Sequence, residues 1–228
     1  MTALTIAQKA CSMLGLTAPT AVFGSTDTQT IQIRNLMNEE LVDLAGDHAW
    51  TRLTTEKTFT TVAQAVQTNA VPTDFDWYVN DTMWNRTTQV KMSGPVTAEE
   101  WQTFQAISLL SIPNAAFRFR GGDLLIYPSP ASGQTAAYEY VSNIRVSGSK
   151  TEFSADTDTC LIDEQLIVLG VRWRFLKAKG FDYAEDFRTY ELAKQAAVAR
   201  DGGRRKVYIG GPNRNPWNAN IPEGNWNQ

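Results

Sequence analysis

The stretch from Asp163 to Arg200, DEQLIVLGVRWRFLKAKGFDYAEDFRTYELAKQAAVAR, constrains this chain more than any other. It reads as two helices joined by a tight turn at Gly180-Phe181-Asp182. In the first helix Leu166, Leu169, Trp173 and Leu176 recur at helical spacing. Lys177 and Lys179 stand at its end, where cations favour the helix dipole, and Gly180 is the stop. Asp182 is placed to cap the second helix. Tyr183, Phe187 and Tyr190 fall on the inner face of that helix, and Ala193, Ala196 and Ala197 allow another helix to approach closely. Such a hairpin cannot bury its apolar side alone, so it demands helical partners elsewhere in the chain.

The N-terminal third supplies them. Residues 4–16 read as a helix with Thr5 as cap, Ile6, Ala10, Met13 and Leu14 on one face, and Gly15 as terminator. A Pro-, Gly- and Ser-containing loop follows. A second helix is predicted from Asp27 or Thr28 to about Ala49, with a stripe of Ile33, Leu36, Met37, Leu41, Leu44 and His48. Trp50 directly after it is expected to anchor the helix end in the core.

From Arg52 the period changes. RLTTEKTFTT is rich in β-branched Thr, which suits a strand. AVQTNAVP reads as a second short strand, PTDFDWYVND as a turn or single helical turn, and MWNRTTQVKM as two short strands. TAEEWQTFQAI is a short helix with a capping box of Thr97 and Glu100. In FRFRGGDLLIYP, Phe117 and Phe119 alternate with Arg118 and Arg120, and Gly121-Gly122 supplies a two-residue hairpin turn. QTAAYEYVSNIRV is a further strand, and SGSKTEFSADTDT reads as a polar linker back to the helices. The fold class that follows is α+β. A helical bundle (residues 1–51 and 160–203) carries an inserted antiparallel β domain (52–159). An extended C-terminal arm (204–228) completes it.

That arm has little core-forming pattern, yet it carries Tyr208, Ile209, Trp217, Ile221 and Trp226. Arg204, Arg205, Lys206 and Arg214 face only Glu223, so the arm is about +3 while the whole chain is −3. It reads as a segment that docks on something else. The net charge leaves the body with no bulk attraction for nucleic acid or an anionic membrane.

The sequence offers little for catalysis. His48 is the single histidine, which argues against histidine-rich metal sites and Ser-His-Asp arrangements. No phosphate-binding or dinucleotide-binding glycine motif is present, and no cofactor or metal is expected. Cys11 and Cys160 are lone cysteines, expected to be buried reduced thiols. Asp74 with Asp76, and Asp156 with Asp158, are the paired acids a metal-dependent hydrolase would use; turns and caps use aspartate in the same way. Seven Trp, seven Tyr and ten Phe could furnish a glycan-binding or single-stranded-DNA-binding surface, though core and subunit contacts are the commoner use. MTALTIAQKA lacks the pattern of a signal peptide, and no apolar run is long enough to span a bilayer. The sequons at Asn80 and Asn85 therefore carry no weight, and membrane contact is not expected.

The order of these parts resembles the head-to-tail adaptor (connector, or tail tubular) proteins of bacteriophages. The resemblance is carried by the two-helix start ending in Trp50, by VPTDFDWYVND, by FRFRGGDLLIYPSPASGQTAAYEYVS, and by DTDTCLIDEQLIVLGVRWRFLKAKGFDYAEDFRTYE. It spans most of residues 1–203 and lies in the order of short, non-catalytic motifs. It implies a structural virion protein made in the host cytoplasm and placed in the tail or neck. It implies a ring, typically of about twelve copies, beneath a portal and above a tail nozzle or other tail protein. Double-stranded DNA would pass through the lumen without sequence recognition. The arm, with Arg204, Arg205, Lys206, Tyr208, Trp217 and Trp226, would grip the portal. Tyr190, Ala193 and Ala197 would be candidates for the contact between subunits.

Overall fold

A computed structural model describes residues 1–107 and 114–202 of the chain. Two helices, α1 (Ala3–Met13) and α2 (Thr28–Asp47), come first. Strands β1 (Thr54–Thr60), β2 (Val66–Gln67), β3 (Phe75–Tyr78), β4 (Trp84–Asn85) and β5 (Val90–Lys91) follow. Then come helix α3 (Ala98–Ala106) and strands β6 (Ala116–Arg120), β7 (Asp123–Tyr127) and β8 (Thr135–Ser142). Helices α4 (Glu164–Lys179) and α5 (Ala184–Arg200) close the described chain. The α+β class and the antiparallel β insert stand as read from the sequence.

The helix ends obey local rules, with two shifts: Thr2 rather than Thr5 caps α1, and Tyr183 rather than Asp182 stands at the cap of α5, with no side-chain cap bond. The cap of α1 is Thr2, whose side chain accepts from Thr5 N. Thr5 lies inside the helix and turns its hydroxyl back to the Thr2 carbonyl at 2.8 Å. Asp27 caps α2 through Thr30 N at 2.9 Å. His48 stands outside the helical stripe, because the chain turns to extended backbone there. Trp50 does anchor the helix end: it is 6% exposed and its Nε1 donates to the Leu44 carbonyl at 2.6 Å. Asp163 caps α4, and Gly180 ends it with φ of 75°, a left-handed conformation that suits glycine. Asp182 accepts from Ala184 N at 3.1 Å.

Helix α4 is the centre of the helical part. It touches α1, α2 and α5. A stripe of four residues is what an edge helix needs, whereas α4 buries Leu166, Ile167, Val168, Gly170, Val171, Trp173 and Phe175 on most of its circumference. The apolar cluster around it takes Ile6, Ala10, Ile33, Met37, Leu41, Leu44 and Trp50 from the N-terminal helices.

The strands form a second cluster. Strand β8 pairs antiparallel with β1 on one side and with β3 and β4 on the other, and β4 pairs with β5. A three-stranded sheet has the order β2-β7-β6. The hairpin β6–β7 turns at Gly121 and Gly122, with φ of 61° and 88°. Of the other sheet, Tyr78 meets its Phe117 at 5.2 Å and its Phe119 at 5.6 Å between ring centres, and Tyr138 meets Phe119 at 5.7 Å. The capping box of α3 is present, with both Thr97 and Glu100 engaged.

Two sequence expectations give way here. The segment around Phe75 is a strand rather than a turn, because Asp74 accepts from Tyr140 Oη (3.0 Å) and Ser142 Oγ (2.7 Å) and lays the following residues along β8. Residues 147–159 are not a slack linker. Phe153 is 3% exposed, and its backbone is held by both polar atoms of the Asn38 side chain. The carbonyls of Asp156 and Asp158 accept from Leu4 N and Ala3 N at 3.1 and 2.8 Å.

Candidate functional site

The paired acids resolve into structural devices. Asp156 Oδ1 accepts from the amides of Val22 and Phe23 at 2.9 and 3.0 Å. Asp158, 8% exposed, accepts from Lys150 Nζ at 2.6 Å and from the amides of Ser154 and Ala155 at 2.8 and 2.9 Å. Burial alone would raise the Asp158 carboxyl, but the Lys150 ammonium and the two amides outweigh it and bring it to about 2. Asp74 is occupied by Tyr140 and Ser142, and Asp76 pairs with Arg145 at 2.7 Å. Burial, then the bond to Asp74, pushes the Tyr140 hydroxyl up to about 12. Among the described residues no group of three or more His, Cys, Asp or Glu could hold a metal ion. Cys11 and Cys160 are both free and buried.

The strongest charge cluster lies where α2, α4 and α5 meet, and sequence reading missed it. Arg174 of α4 bonds Glu40 at 2.7 Å, Glu39 at 2.7 Å and Asp43 at 2.5 Å. Glu40 is fully buried. Burial is the largest influence on it and raises its carboxyl above the ordinary range. The Tyr190 hydroxyl lies beside it and favours its charged form, as Arg174 does. Even so, Glu40 Oε1 has no partner within strict hydrogen-bond geometry among the described residues. Gly170 makes room for this carboxylate: a Cβ there would stand 2.1 Å from Glu40 Cδ. The signal available in the sequence was the charge at Glu40 inside the apolar stripe Ile33, Met37, Leu41, Leu44, opposite a mid-helix glycine.

Helix α5 presents two different faces. Tyr190 and Ala197 are 4% and 6% exposed, and Ala193 packs partly on the same core. These three candidates for subunit contact are taken up by the chain's own bundle. Tyr183 and Phe187 reach Trp173 at 6.2 and 5.1 Å but remain 37% and 39% exposed. The outward face carries Arg188, Leu192, Gln195 and Ala196, with Leu192 59% exposed. Arg118 and Arg120 stand on the opposite side of β6 from Phe117 and Phe119; Arg120 is exposed, and Arg118 is half-buried.

His48 and Asp201 meet at the end of the described chain. His48 Nε2 is 3.2 Å from Asp201 Oδ2, and Thr51 donates to the same carboxylate through N (2.9 Å) and Oγ1 (2.6 Å). Burial opposes the Asp201 charge, while the two Thr51 bonds and His48 outweigh it and lower its carboxyl. The expected arm residues Arg204, Arg205, Lys206, Tyr208, Trp217 and Trp226 lie outside the described residues.

Among the described residues polar groups thus serve the frame, and α5 leaves an apolar face free around Leu192. That build suits a structural component of a larger assembly. The chain matches the SU10 adaptor protein family over residues 1–216 and belongs to that family. No curated protein matches it. Family membership makes it a structural adaptor protein of a phage. None of the described helices is long and apolar enough to cross a membrane.

Proposed function

We propose that the chain forms a ring, of about twelve copies, that joins the portal at the capsid vertex to the tail and lets double-stranded DNA through its lumen. The observation that carries this reading is the family match over residues 1–216. In this reading residues 1–51 and 160–203 form the frame that meets neighbouring subunits. The insert of 52–159 faces the tail side, and residues 204–228 reach the portal. The neighbour contact uses the outward face of α5 around Leu192, since Tyr190 and Ala197 face inward. The charge of about +3 on residues 204–228, with Tyr208, Trp217 and Trp226, fits a partner that offers acidic and apolar ground. A mildly acidic body fits a channel that must release DNA rather than hold it.

The test is electron microscopy of the protein mixed with its portal. An added ring beneath the portal is expected. The chain ending at Gly203 is expected to remain folded and to lose portal binding; undiminished binding would sink the role given to the arm.

A further inference from the structure

Helices α2 and α5 both rest on α4, and they leave a groove between them. One half, with a cavity volume of about 490 Å³, is floored by Trp173 and Tyr190 and edged by Val42 and Phe187. The other half, of about 400 Å³, runs past Trp50 and Val198. The halves meet at the bridge of Lys194 to Asp47, 3.1 Å long. Over α5 the groove extends from Phe187 to Ala199, roughly 18 Å at the helical rise. Val42 and Phe187 remain 37% and 39% exposed on its edges.

Charge around this groove is unbalanced. Arg174 is held by Glu39, Glu40 and Asp43, and Lys194 by Asp47 and Glu191. Five carboxylates therefore surround two cations. Asp43 and Asp47 keep 52% and 54% of their side chains exposed. A ligand suited to this surface is basic and aromatic, and it brings apolar side chains to an apolar floor.

The chain carries such a segment, and it begins at the mouth of the groove. Asp201 is tied to His48, which lines the groove's lower half, and a Cβ at Gly202 would stand 3.6 Å from Thr51 Cγ2. The 26 residues from 203 to 228 that follow carry a charge of about +3 and include Tyr208, Ile209, Trp217 and Trp226. Extended chain covers about 3.3 Å per residue, so about six residues suffice to fill the groove and the rest is ample to reach it. Another cavity near Asp201 has the smaller charge imbalance, with Arg52 and Arg200 set against Asp163, Glu164 and Asp201.

We infer that the C-terminal segment 203–228 docks in the α2–α5 groove of its own chain, with its aromatic side chains on the Trp173–Tyr190 floor and its basic residues against the acidic edges. Docking there keeps the aromatic residues from water in the free protein and makes any partner of the segment compete with the groove. The inference does not depend on the ring-and-portal reading, because it concerns the isolated chain.

The experiment uses the full chain. Gly46 lies on α2 with open space where a Cβ would stand, so Gly46→Cys is tolerated, and Cys11 and Cys160 are buried from thiol reagents. A nitroxide placed on that cysteine should broaden the indole N–H signal of Trp217, Trp226 or both at least several-fold. Reduction of the nitroxide should restore the signal. Val42→Glu in the same chain should cut the broadening by half or more. Three results would overturn the inference. One is no broadening from the Gly46→Cys label. Another is equal broadening from a label at Thr88→Cys, on the exposed turn between β4 and β5. The third is broadening seen only when nitroxide-bearing chains are mixed with separate isotope-labelled chains, which places the segment on a neighbour. None of these alters the microscopy of the portal mixture, so the two readings fail separately.

Discussion

A single missing methyl decides how the helices cross. The position a Cβ would take at Gly170 is 2.1 Å from Glu40 Cδ, far inside contact distance, and Glu40 is fully buried and tied to Arg174. Neither helix can yield without loosening Met37 and Leu41 on one side or Ile167 and Val171 on the other, all of them buried. Gly170→Ala is therefore expected to destabilise the fold by about 1–3 kcal/mol, the usual cost of overpacking, despite alanine's better helix propensity. Urea unfolding measures it. A gain in stability would show that Glu40 is free to move. The thiols provide a second residue-scale prediction. Burial, and then the nearby charge of Glu164, pushes Cys160 up to about 12, and burial also raises Cys11. Neither thiol should react with a disulfide reagent at pH 8 in the native protein, and both should react once it is unfolded. Fast labelling of the native chain would contradict the buried placement.

At the scale of elements, the segment from Ser147 to Thr159 joins the sheet to the helices and is itself tied down. Its anchor is Asp158. The carboxyl is lower in the fold than in the unfolded chain, so it contributes stability above its unfolded value near 3.8 and loses it as pH falls through about 2. Asp158→Asn should cost about 1–3 kcal/mol near pH 6, because Lys150 loses its charged partner. The gap between variant and parent should close as the pH is taken toward 2. A gap that stays constant with pH would remove the carboxylate from the account. The sequence could not show this knot. Its Ser, Thr and Asp look the same whether they face water or each other, and only the return of Asp156 and Asp158 to α1 separates the two. What was legible followed local chemistry: the Thr97–Glu100 box, the Gly121-Gly122 turn, the Gly180 stop and the alternating Phe117 and Phe119. What was not legible depended on distant partners. Phe75–Tyr78 became a strand because Asp74 meets Tyr140 and Ser142, more than sixty residues away. His48 sits at helical spacing but is drawn out to Asp201. The inward turn of Tyr190 and Ala197 follows from α4 being central, which no periodicity within α5 records.

At the scale of the whole molecule, a ring asks each copy for two complementary surfaces that stay clear of its own core. Helix α5 satisfies that condition on one side only. Its inner side is spent on Trp173 and Glu40, and its outer side leaves Leu192 59% exposed, about one turn from Arg188 and one from Ala196. A charge placed at Leu192 therefore tests the neighbour contact with little effect on the subunit. Leu192→Glu keeps a good helix former in place, and Arg188 four residues earlier can pair with it, so helix stability should hold within a few tenths of a kcal/mol. In a contact between copies the same carboxylate would be buried without a partner, at about 1–3 kcal/mol per interface, and a closed ring repeats that cost at every subunit boundary. Sedimentation velocity should show the variant shifted to monomer at concentrations where the parent chain assembles, with unchanged thermal unfolding of the monomer. Rings of undiminished stability would move the neighbour contact off α5 and onto the sheet.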